Sequence, residues 1–222
     1  MKLALFDLDG TLIPTDSDHA FGEFVIGLGW ADGAAHRRRN DEFFAQYQAG
    51  ELEIAAYVDF ATAPWRTRSE AELAAAMDRF IDEFARPALR EPALELVRRH
   101  QREGDLVAIV TATNEFVTRP IARLFGVDTL IATELERDAA GRVSGAIRGV
   151  PSFRDGKISR VTAWLQGQGL TLDAFERSIF YSDSTNDLPL LERVSHPVAT
   201  NPGPALERIA HERGWPILRL FE

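Results

Sequence analysis

Residues 2–11 read Lys2-Leu3-Ala4-Leu5-Phe6-Asp7-Leu8-Asp9-Gly10-Thr11, a short apolar run that ends in two carboxylates, a glycine and a threonine. Such a run is typical of a strand that is buried on both faces of a parallel sheet. Open α/β sheets place their ligand sites at the carboxyl ends of these strands. The run therefore predicts an α/β fold whose catalytic centre contains Asp7 and Asp9.

The composition is that of a globular protein. The chain has 222 residues, of which 45% are hydrophobic and 27% charged, enough for one large domain or for one domain with an insert. The net charge of −9 argues against nucleic-acid binding. No apolar run approaches the roughly 20 residues that a membrane span needs. Asp7 and Asp9 interrupt any signal-peptide pattern, and cysteine is absent, so we expect a cytoplasmic protein.

The segment after the first strand carries only helical patterns. Ser17 or Asp18 is expected to cap the first helix, and Ser69 with Glu72 predicts a capping box at the fourth. The four predicted helices fall within residues 16–84, with no strand between them. This arrangement indicates a helical-bundle cap over residues 15–85.

Strands and helices alternate in the rest of the chain. Apolar strands are predicted at 106–110, 129–132, 178–182 and 194–200, with a β-hairpin over 134–150. Alternation of this kind favours a parallel sheet covered by helices. We therefore predict an α/β core domain made of residues 1–14 and 86–222.

Polar groups follow several of these elements. Because the carboxyl ends of parallel strands share one edge of the sheet, we expect Asp7, Thr111 and Asp183 to converge. Asp9, Lys157 at a helix start and Asp187 are candidates for the same site. Carboxylates brought together repel one another unless a cation lies between them. Mg²⁺ with oxygen ligands and a substrate phosphate meets that need. A hydroxyl and an ammonium group would hold the remaining phosphate oxygens.

Four ordered motifs carry a family resemblance: Asp7-Leu8-Asp9-Gly10-Thr11, Thr111 after an apolar strand, Lys157, and Asp183-Ser184-Thr185-Asn186-Asp187. Together they resemble the phosphatases of the haloacid dehalogenase-like (HAD) superfamily. The helical cap resembles that of subfamily IB, the phosphoserine-phosphatase-like group, in which some bacterial members are called histidinol phosphatases. The resemblance implies a Rossmann-like core, Mg²⁺ as cofactor and a small phosphorylated metabolite as substrate.

The resemblance also implies roles for the acids. Asp7 would attack phosphorus and form an aspartyl-phosphate, while Asp9 would protonate the leaving alcohol and later activate water. The metal would be held by the carboxylates of Asp7 and Asp183 and by the backbone carbonyl of Asp9. Asp187 would orient metal-bound water or Lys157 from behind these ligands.

The remaining roles concern the phosphoryl group and the substrate. Thr111, the amide of Ala112 and Asn186 would contact the phosphoryl group, and Lys157 would pair with it and with Asp7. In the phosphoserine phosphatases an acid near the position of Asp16 contacts the substrate amine, which makes Asp16 a candidate substrate-binding residue.

Two departures from that subgroup bear on the substrate. The arginine that binds the phosphoserine carboxylate is replaced by Ala61, and the usual Ser-Gly-Gly motif is Thr111-Ala112-Thr113 here. Both departures weaken phosphoserine as the substrate. They leave histidinol phosphate, or a related amino-alcohol or amino-acid phosphate, as a hypothesis.

Other interpretations stay open at the level of sequence. The chain could be a phospho-accepting signalling domain, or a HAD hydrolase such as a dehalogenase that is not a phosphatase. The acids and Thr111 could simply cap helices. Arg66 and Arg68, beside Trp65, could contact substrate, whereas the run 37–39 is interpreted as a solvated helix face.

Overall fold

The computed structural model describes residues 1–221 of the chain. Its main sheet has six strands in the order β3-β2-β1-β6-β7-β8, and every neighbouring pair is parallel. They are β1 (Lys2–Phe6), β2 (Leu106–Asn114), β3 (Leu130–Thr133), β6 (Arg177–Ser182), β7 (His196–Thr200) and β8 (Ile217–Leu218). The predicted fold class, a parallel α/β core with surrounding helices, is confirmed.

Strand β1 lies in the middle of the sheet because it is apolar on both faces. Leu5 pairs with Ala108 of β2 and with Phe180 of β6. Successive side chains of a strand point to opposite faces. Accordingly Ala4 and Phe6 join one buried hydrophobic cluster, while Leu3 and Leu5 join the other.

Helices cover both faces of the sheet. One face packs against α6 (Glu91–Arg102) and α7 (Glu115–Leu124), and the other against α8 (Asp155–Gln166), α9 (Leu188–Leu191) and α10 (Pro204–Arg213). The expected hairpin forms from β4 (Leu135–Arg137) and β5 (Val143–Ile147). No helix in residues 1–221 is long and apolar enough to cross a membrane.

The segment between β1 and α6 is helical, as expected. It contains α1 (Ser17–Gly27), α2 (Gly33–Ala49), α3 (Ile54–Thr62) and α4 (Glu70–Phe80), followed by a π-helical turn (Ile81–Ala85) and α5 (Arg86–Ala88). The capping box of Ser69 and Glu72 is present. The domain boundaries near residues 15 and 85 stay a prediction.

Three details differ from expectation. Asp16, not Ser17 or Asp18, caps α1, because its carboxylate accepts the amide of His19. Strand β2 continues beyond Val110 to Asn114, with an irregular register against β3 over that stretch. The two-residue strand β8 was not predicted, since two residues carry no readable pattern.

Candidate active site

Asp7 leaves the end of β1 in an almost fully buried position, and its backbone N–H donates to the carbonyl of Tyr181 at 2.9 Å. The chain then turns at Gly10, whose φ of +73° suits glycine. Asn201 holds this turn by donating to the carbonyls of Gly10 and Thr11 at 3.0 and 3.1 Å. The two acids therefore sit on a loop with little freedom to move.

Lys157 lies in the first turn of α8 and is 1% exposed. Its Nζ donates to Asp7 Oδ1 at 2.9 Å and to the Asp187 carboxylate at 2.8 Å. Burial opposes the charge of Lys157, but the carboxylates of Asp187 and Asp7 outweigh burial and raise its pKa. The ammonium group is therefore a fixed positive charge beside Asp7.

Asp187 is itself held by Ser182, whose hydroxyl donates to it at 2.7 Å. The contact with Lys157 agrees with the predicted role of Asp187 in orienting that lysine. Removing one member of such a buried ion pair typically costs about 3–5 kcal/mol, because the other charge is left uncompensated. Substitutions in the Asp7–Lys157–Asp187 arrangement are therefore expected to affect the stability of the fold as well as the site.

The Asp9 carboxylate points away from Lys157 and toward the cap. The backbone N–H of Ser17 donates to its Oδ1 at 2.8 Å, and the hydroxyl of Thr113 donates to its Oδ2 at 2.9 Å. Burial, with a contribution from the nearby charge of Asp16, raises the pKa of Asp9 to about 8. A carboxyl group with such a pKa can carry a proton near neutral pH, as a general acid must.

Asp183 follows β6 and accepts the hydroxyl of Thr11 at 3.1 Å. Burial first, and then the charge of Asp7, raise the pKa of Asp183. A Cβ at Gly10 would lie 2.3 Å from Asp183 Oδ2, so the acid packs directly against the glycine backbone. Asp7 and Asp183 are therefore close enough to repel each other.

The donor set fits Mg²⁺. Within residues 1–221 no group of three or more His, Cys, Asp or Glu side chains is placed to hold a metal. Asp7 and Asp183 supply two carboxylates, and the backbone carbonyl of Asp9 lies on the same loop. Mg²⁺ is typically bound in this way, by one or two carboxylates together with water and substrate phosphate.

Thr111, Ala112 and Thr113 line one cavity together with Asp7 and Asp9. Thr111 is buried, and its hydroxyl accepts the backbone N–H of Thr113 at 3.2 Å. The sequence interpretation assigned no role to the Thr113 side chain. Its contact with Asp9 joins residues 104 positions apart, for which the sequence carries no local signal.

Asn186 is oriented toward α2 rather than toward this cavity. Its amide nitrogen donates to the carbonyl of Tyr47 at 2.9 Å, and its oxygen accepts Arg154 Nε at 3.5 Å. The predicted contact of Asn186 with a phosphoryl group stays a prediction.

The far wall of the cavity is acidic and aromatic. It is formed by residues of the α1–α3 segment: Asp16, Asp18, His19, Asn40, Phe43, Phe44, Tyr47, Leu52, Ile54 and Tyr57. None of the described residues that line it is lysine or arginine. Arg66 and Arg68, considered as substrate contacts, line a different cavity.

Asp18 is the more deeply buried of the two acids on this wall. Asn114, which caps α7, donates to its Oδ1 at 3.2 Å, and Tyr57 forms a second hydrogen bond with it. Burial, with a contribution from the charge of Asp16, raises the pKa of Asp18 to about 7. A cationic substrate group would relieve this accumulation of negative charge.

Comparison with known proteins agrees with the motif-based resemblance. The family model described as haloacid dehalogenase-like hydrolase matches residues 4–192. A histidinol-phosphatase of Neisseria meningitidis serogroup C (strain 8013) is 44% identical over 219 residues, which are 99% of each chain.

Two solved structures are also similar to this chain. A Bordetella pertussis Tohama I protein of unknown function is 50% identical, with a TM-score of 0.93 and 99% of each chain covered. A substrate-bound phosphoserine phosphatase has a TM-score of 0.69 and covers 98% of this chain and 92% of its own. The latter is only 16% identical, so it supports the fold alone.

Proposed function

Since the chain belongs to the haloacid dehalogenase-like hydrolase family and is a phosphatase of that family, we propose that it is a Mg²⁺-dependent phosphomonoesterase with histidinol phosphate as its substrate. In this proposal Asp7 forms the aspartyl-phosphate intermediate. The cytoplasmic location stays a prediction, resting on the cysteine-free composition, the acids that interrupt a signal-peptide pattern and the lack of a membrane-spanning run.

In the proposed chemistry Asp7 forms a covalent bond to phosphorus, and Asp9 transfers protons. An Asp7 carboxylate oxygen attacks phosphorus as the ester P–O bond breaks, and protonated Asp9 gives its proton to the leaving alkoxide. Asp9 then takes a proton from water as the water oxygen attacks the phosphorus of the aspartyl-phosphate and the bond between phosphorus and the Asp7 oxygen breaks. Phosphate leaves, and Asp7 and Asp9 return to their starting states.

The surrounding groups stabilise the transferring phosphoryl group. The Lys157 ammonium lies 2.9 Å from Asp7 Oδ1 and offsets negative charge at the attacking residue. Thr111 and the two residues that follow it line the same cavity as Asp7. Mg²⁺ held by Asp7, Asp183 and the carbonyl of Asp9 would supply further positive charge for the phosphate oxygens.

The acidic cavity wall is the reason for proposing histidinol phosphate as the substrate. Histidinol phosphate has an amine and an imidazole but no carboxylate, so its cationic end matches Asp16 and Asp18. Phosphoserine would bring a carboxylate to a wall without lysine or arginine among the described lining residues. The 44% identity to a histidinol-phosphatase supports the same choice.

A phosphate-release assay tests the proposal. Purified protein is given histidinol phosphate, phosphoserine or p-nitrophenyl phosphate, each with Mg²⁺ and with EDTA. We expect kcat/KM for histidinol phosphate to exceed that for phosphoserine by about 100-fold, and EDTA to abolish turnover. A preference for phosphoserine would overturn the substrate assignment, while turnover undiminished by EDTA would overturn the metal requirement.

The signalling alternative requires a long-lived phosphoprotein. Asp9 lies on the same loop as Asp7 and has a pKa suited to proton transfer near neutral pH, so it favours rapid hydrolysis of an aspartyl-phosphate.

A further inference from the structure

A second cavity lies outside the active site, between α4 and the loop before it, α7, and the β4–β5 hairpin. We call it the arginine groove after six of its lining residues: Arg66, Arg68, Arg119, Arg123, Arg137 and Arg142. The remainder of its lining includes Glu70 and Glu115. A concentration of arginine on one surface is unexpected in a chain with a net charge of −9.

Three of these arginines already have an acidic partner. Arg66 pairs with Asp59, Arg142 with Asp138, and Arg68 lies 3.8 Å from Glu72. These pairs fix the side chains at the rim of the groove. These three arginines therefore add little net positive charge to the groove.

The other three arginines form no ion pair within residues 1–221, although the charge of Arg137 acts on Glu115, which lines the same groove. Arg119 and Arg123 are exposed, lie one turn apart on α7, and form no ion pair with residues 1–221. Arg137 donates only to the backbone carbonyl of Gly141, at 3.0 Å. The positive charges of these three guanidinium groups are therefore the ones that could bind an anionic ligand.

A buried donor in the same groove is also without a partner. The Nε of Arg68 is buried and forms no hydrogen bond in the described structure. Leaving such a donor unpaired costs free energy. The groove thus combines guanidinium groups that have no ion-pair partner with one buried N–H that has no acceptor.

The groove is also partly apolar. Phe116 stacks on Trp65 with 4.3 Å between ring centroids, and Leu73, Met77 and Pro120 line the same surface. An inorganic ion would leave these apolar groups in water, whereas an organic anion would cover them. Guanidinium groups are well suited to bind carboxylate or phosphate at the rim.

We propose that the arginine groove is a second binding site, for a small organic anion that combines an apolar ring with a carboxylate, sulfonate or phosphate group. The anionic group lies between Arg119, Arg123 and Arg137, and the ring lies on Phe116 and its apolar neighbours. The ligand contacts α4 on one side and α7 on the other.

Calorimetric titration of the full chain with naphthalene-2-sulfonate tests this site, with the uncharged naphthalene-2-sulfonamide as the matched probe. The double variant Arg119→Glu/Arg123→Glu reverses two of the three charges that have no ion-pair partner. The control Arg38→Glu/Arg208→Glu makes the same charge change at exposed arginines that do not line the groove. Phosphatase activity is measured for each protein in parallel.

We expect the sulfonate to bind wild type and control alike, and the groove variant about tenfold more weakly or not at all. The sulfonamide should bind more weakly than the sulfonate, and all three proteins should retain their activity. Equal affinity of the sulfonate for the groove variant and wild type would overturn the proposal. So would inhibition of phosphatase activity that is competitive with substrate and unchanged in the groove variant, because the probe would then occupy the active site.

Discussion

Asp7 and Asp9 lie two residues apart, yet their carboxylates have different neighbours. Burial raises the pKa of Asp7 to about 7, and the Lys157 ammonium opposes this rise by favouring the ionised, nucleophilic form. Asp9 accepts hydrogen bonds from Ser17 and Thr113, and burial keeps its pKa high. Two identical side chains thereby acquire different proposed roles from their surroundings.

Replacing Asp7 tests the nucleophile. Asp7→Asn should lower kcat by at least about 10⁴-fold, because an amide oxygen cannot attack phosphorus effectively. The fold should persist, since Lys157 keeps its contact with Asp187. Phosphate release and the thermal transition are measured together, with Asp128→Asn on the surface as the control. Wild-type turnover by Asp7→Asn would exclude Asp7 as the nucleophile.

Replacing Asp9 tests the proton transfers. Asp9→Asn should slow both chemical steps, and with p-nitrophenyl phosphate it should accumulate phosphoenzyme, because this leaving group needs little protonation whereas hydrolysis still needs a base. Acid-quenched protein is analysed for the added phosphoryl group by mass spectrometry. If phosphoenzyme is absent while turnover matches wild type, the role given to Asp9 is incorrect.

Replacing Asp18 tests recognition of the cationic end. Asp18→Asn keeps the size of the side chain beside Asn114 and Tyr57 but removes its charge. We expect KM for histidinol phosphate to rise about tenfold, and KM for p-nitrophenyl phosphate, which has no cation, to change less than about twofold. Steady-state kinetics with both substrates give the comparison. An equal rise for both would mean that Asp18 supports the cavity without selecting the substrate.

At the scale of the element, the turn after β1 is constrained both by its backbone conformation and by close packing. Gly10 combines a φ of +73° with contact to the Asp183 carboxylate. Gly29 has the same φ, but a Cβ there would meet nothing within 4 Å. Substituting alanine at Gly29 therefore measures the cost of the backbone conformation alone, and the same substitution at Gly10 adds the cost of close packing.

Gly29→Ala should lower the free energy of unfolding by about 1 kcal/mol and leave activity unchanged. Gly10→Ala should cost more and displace Asp183, so its half-saturating Mg²⁺ concentration should rise about tenfold or more. Denaturant unfolding and Mg²⁺ titration of activity measure the two effects. Indistinguishable behaviour of the variants would contradict the close contact between Gly10 and Asp183.

At the scale of the whole molecule, buried acids link stability to pH. The pKa values of Asp7, Asp9, Asp16, Asp18 and Asp183 are all raised, with burial as the largest cause. Between about pH 4 and pH 8 the native state therefore holds more protons than the unfolded state. Stability without metal should fall as the pH rises through this window. The lowered pKa values of His36 and His196 act in the opposite direction but involve two groups against five.

Mg²⁺ should reverse this loss. It binds the ionised carboxylates of Asp7 and Asp183, so it should stabilise the protein more at pH 8 than at pH 5, by a difference on the order of 2 kcal/mol. Urea unfolding at both pH values, with Mg²⁺ and with EDTA, measures this difference. Stability that rises with pH in EDTA, together with no response to Mg²⁺, would contradict the proposed metal site.

Much of the architecture could be predicted because its causes are local. The apolar run before Asp7, the capping box at Ser69 and the alternation after residue 91 each reflect neighbours a few positions apart. The cap of α1 was assigned to the wrong residue because Asp16, Ser17 and Asp18 are all good capping residues. The choice among them depends on the turn that leads out of β1.

The sequence by itself determined the parallel core, the helical segment after β1 and the acids at the strand ends, since hydrophobic periodicity and motif spacing are encoded over short distances. Only the tertiary structure decided that Thr113 contacts Asp9, that Asn186 faces Tyr47 and that six arginines share one groove. These contacts join residues far apart in the chain, and their geometry depends on how whole elements pack. The stretch from Lys2 to Thr11 predicts the site of the chemistry, and packing of the helices around it decides what the site can bind.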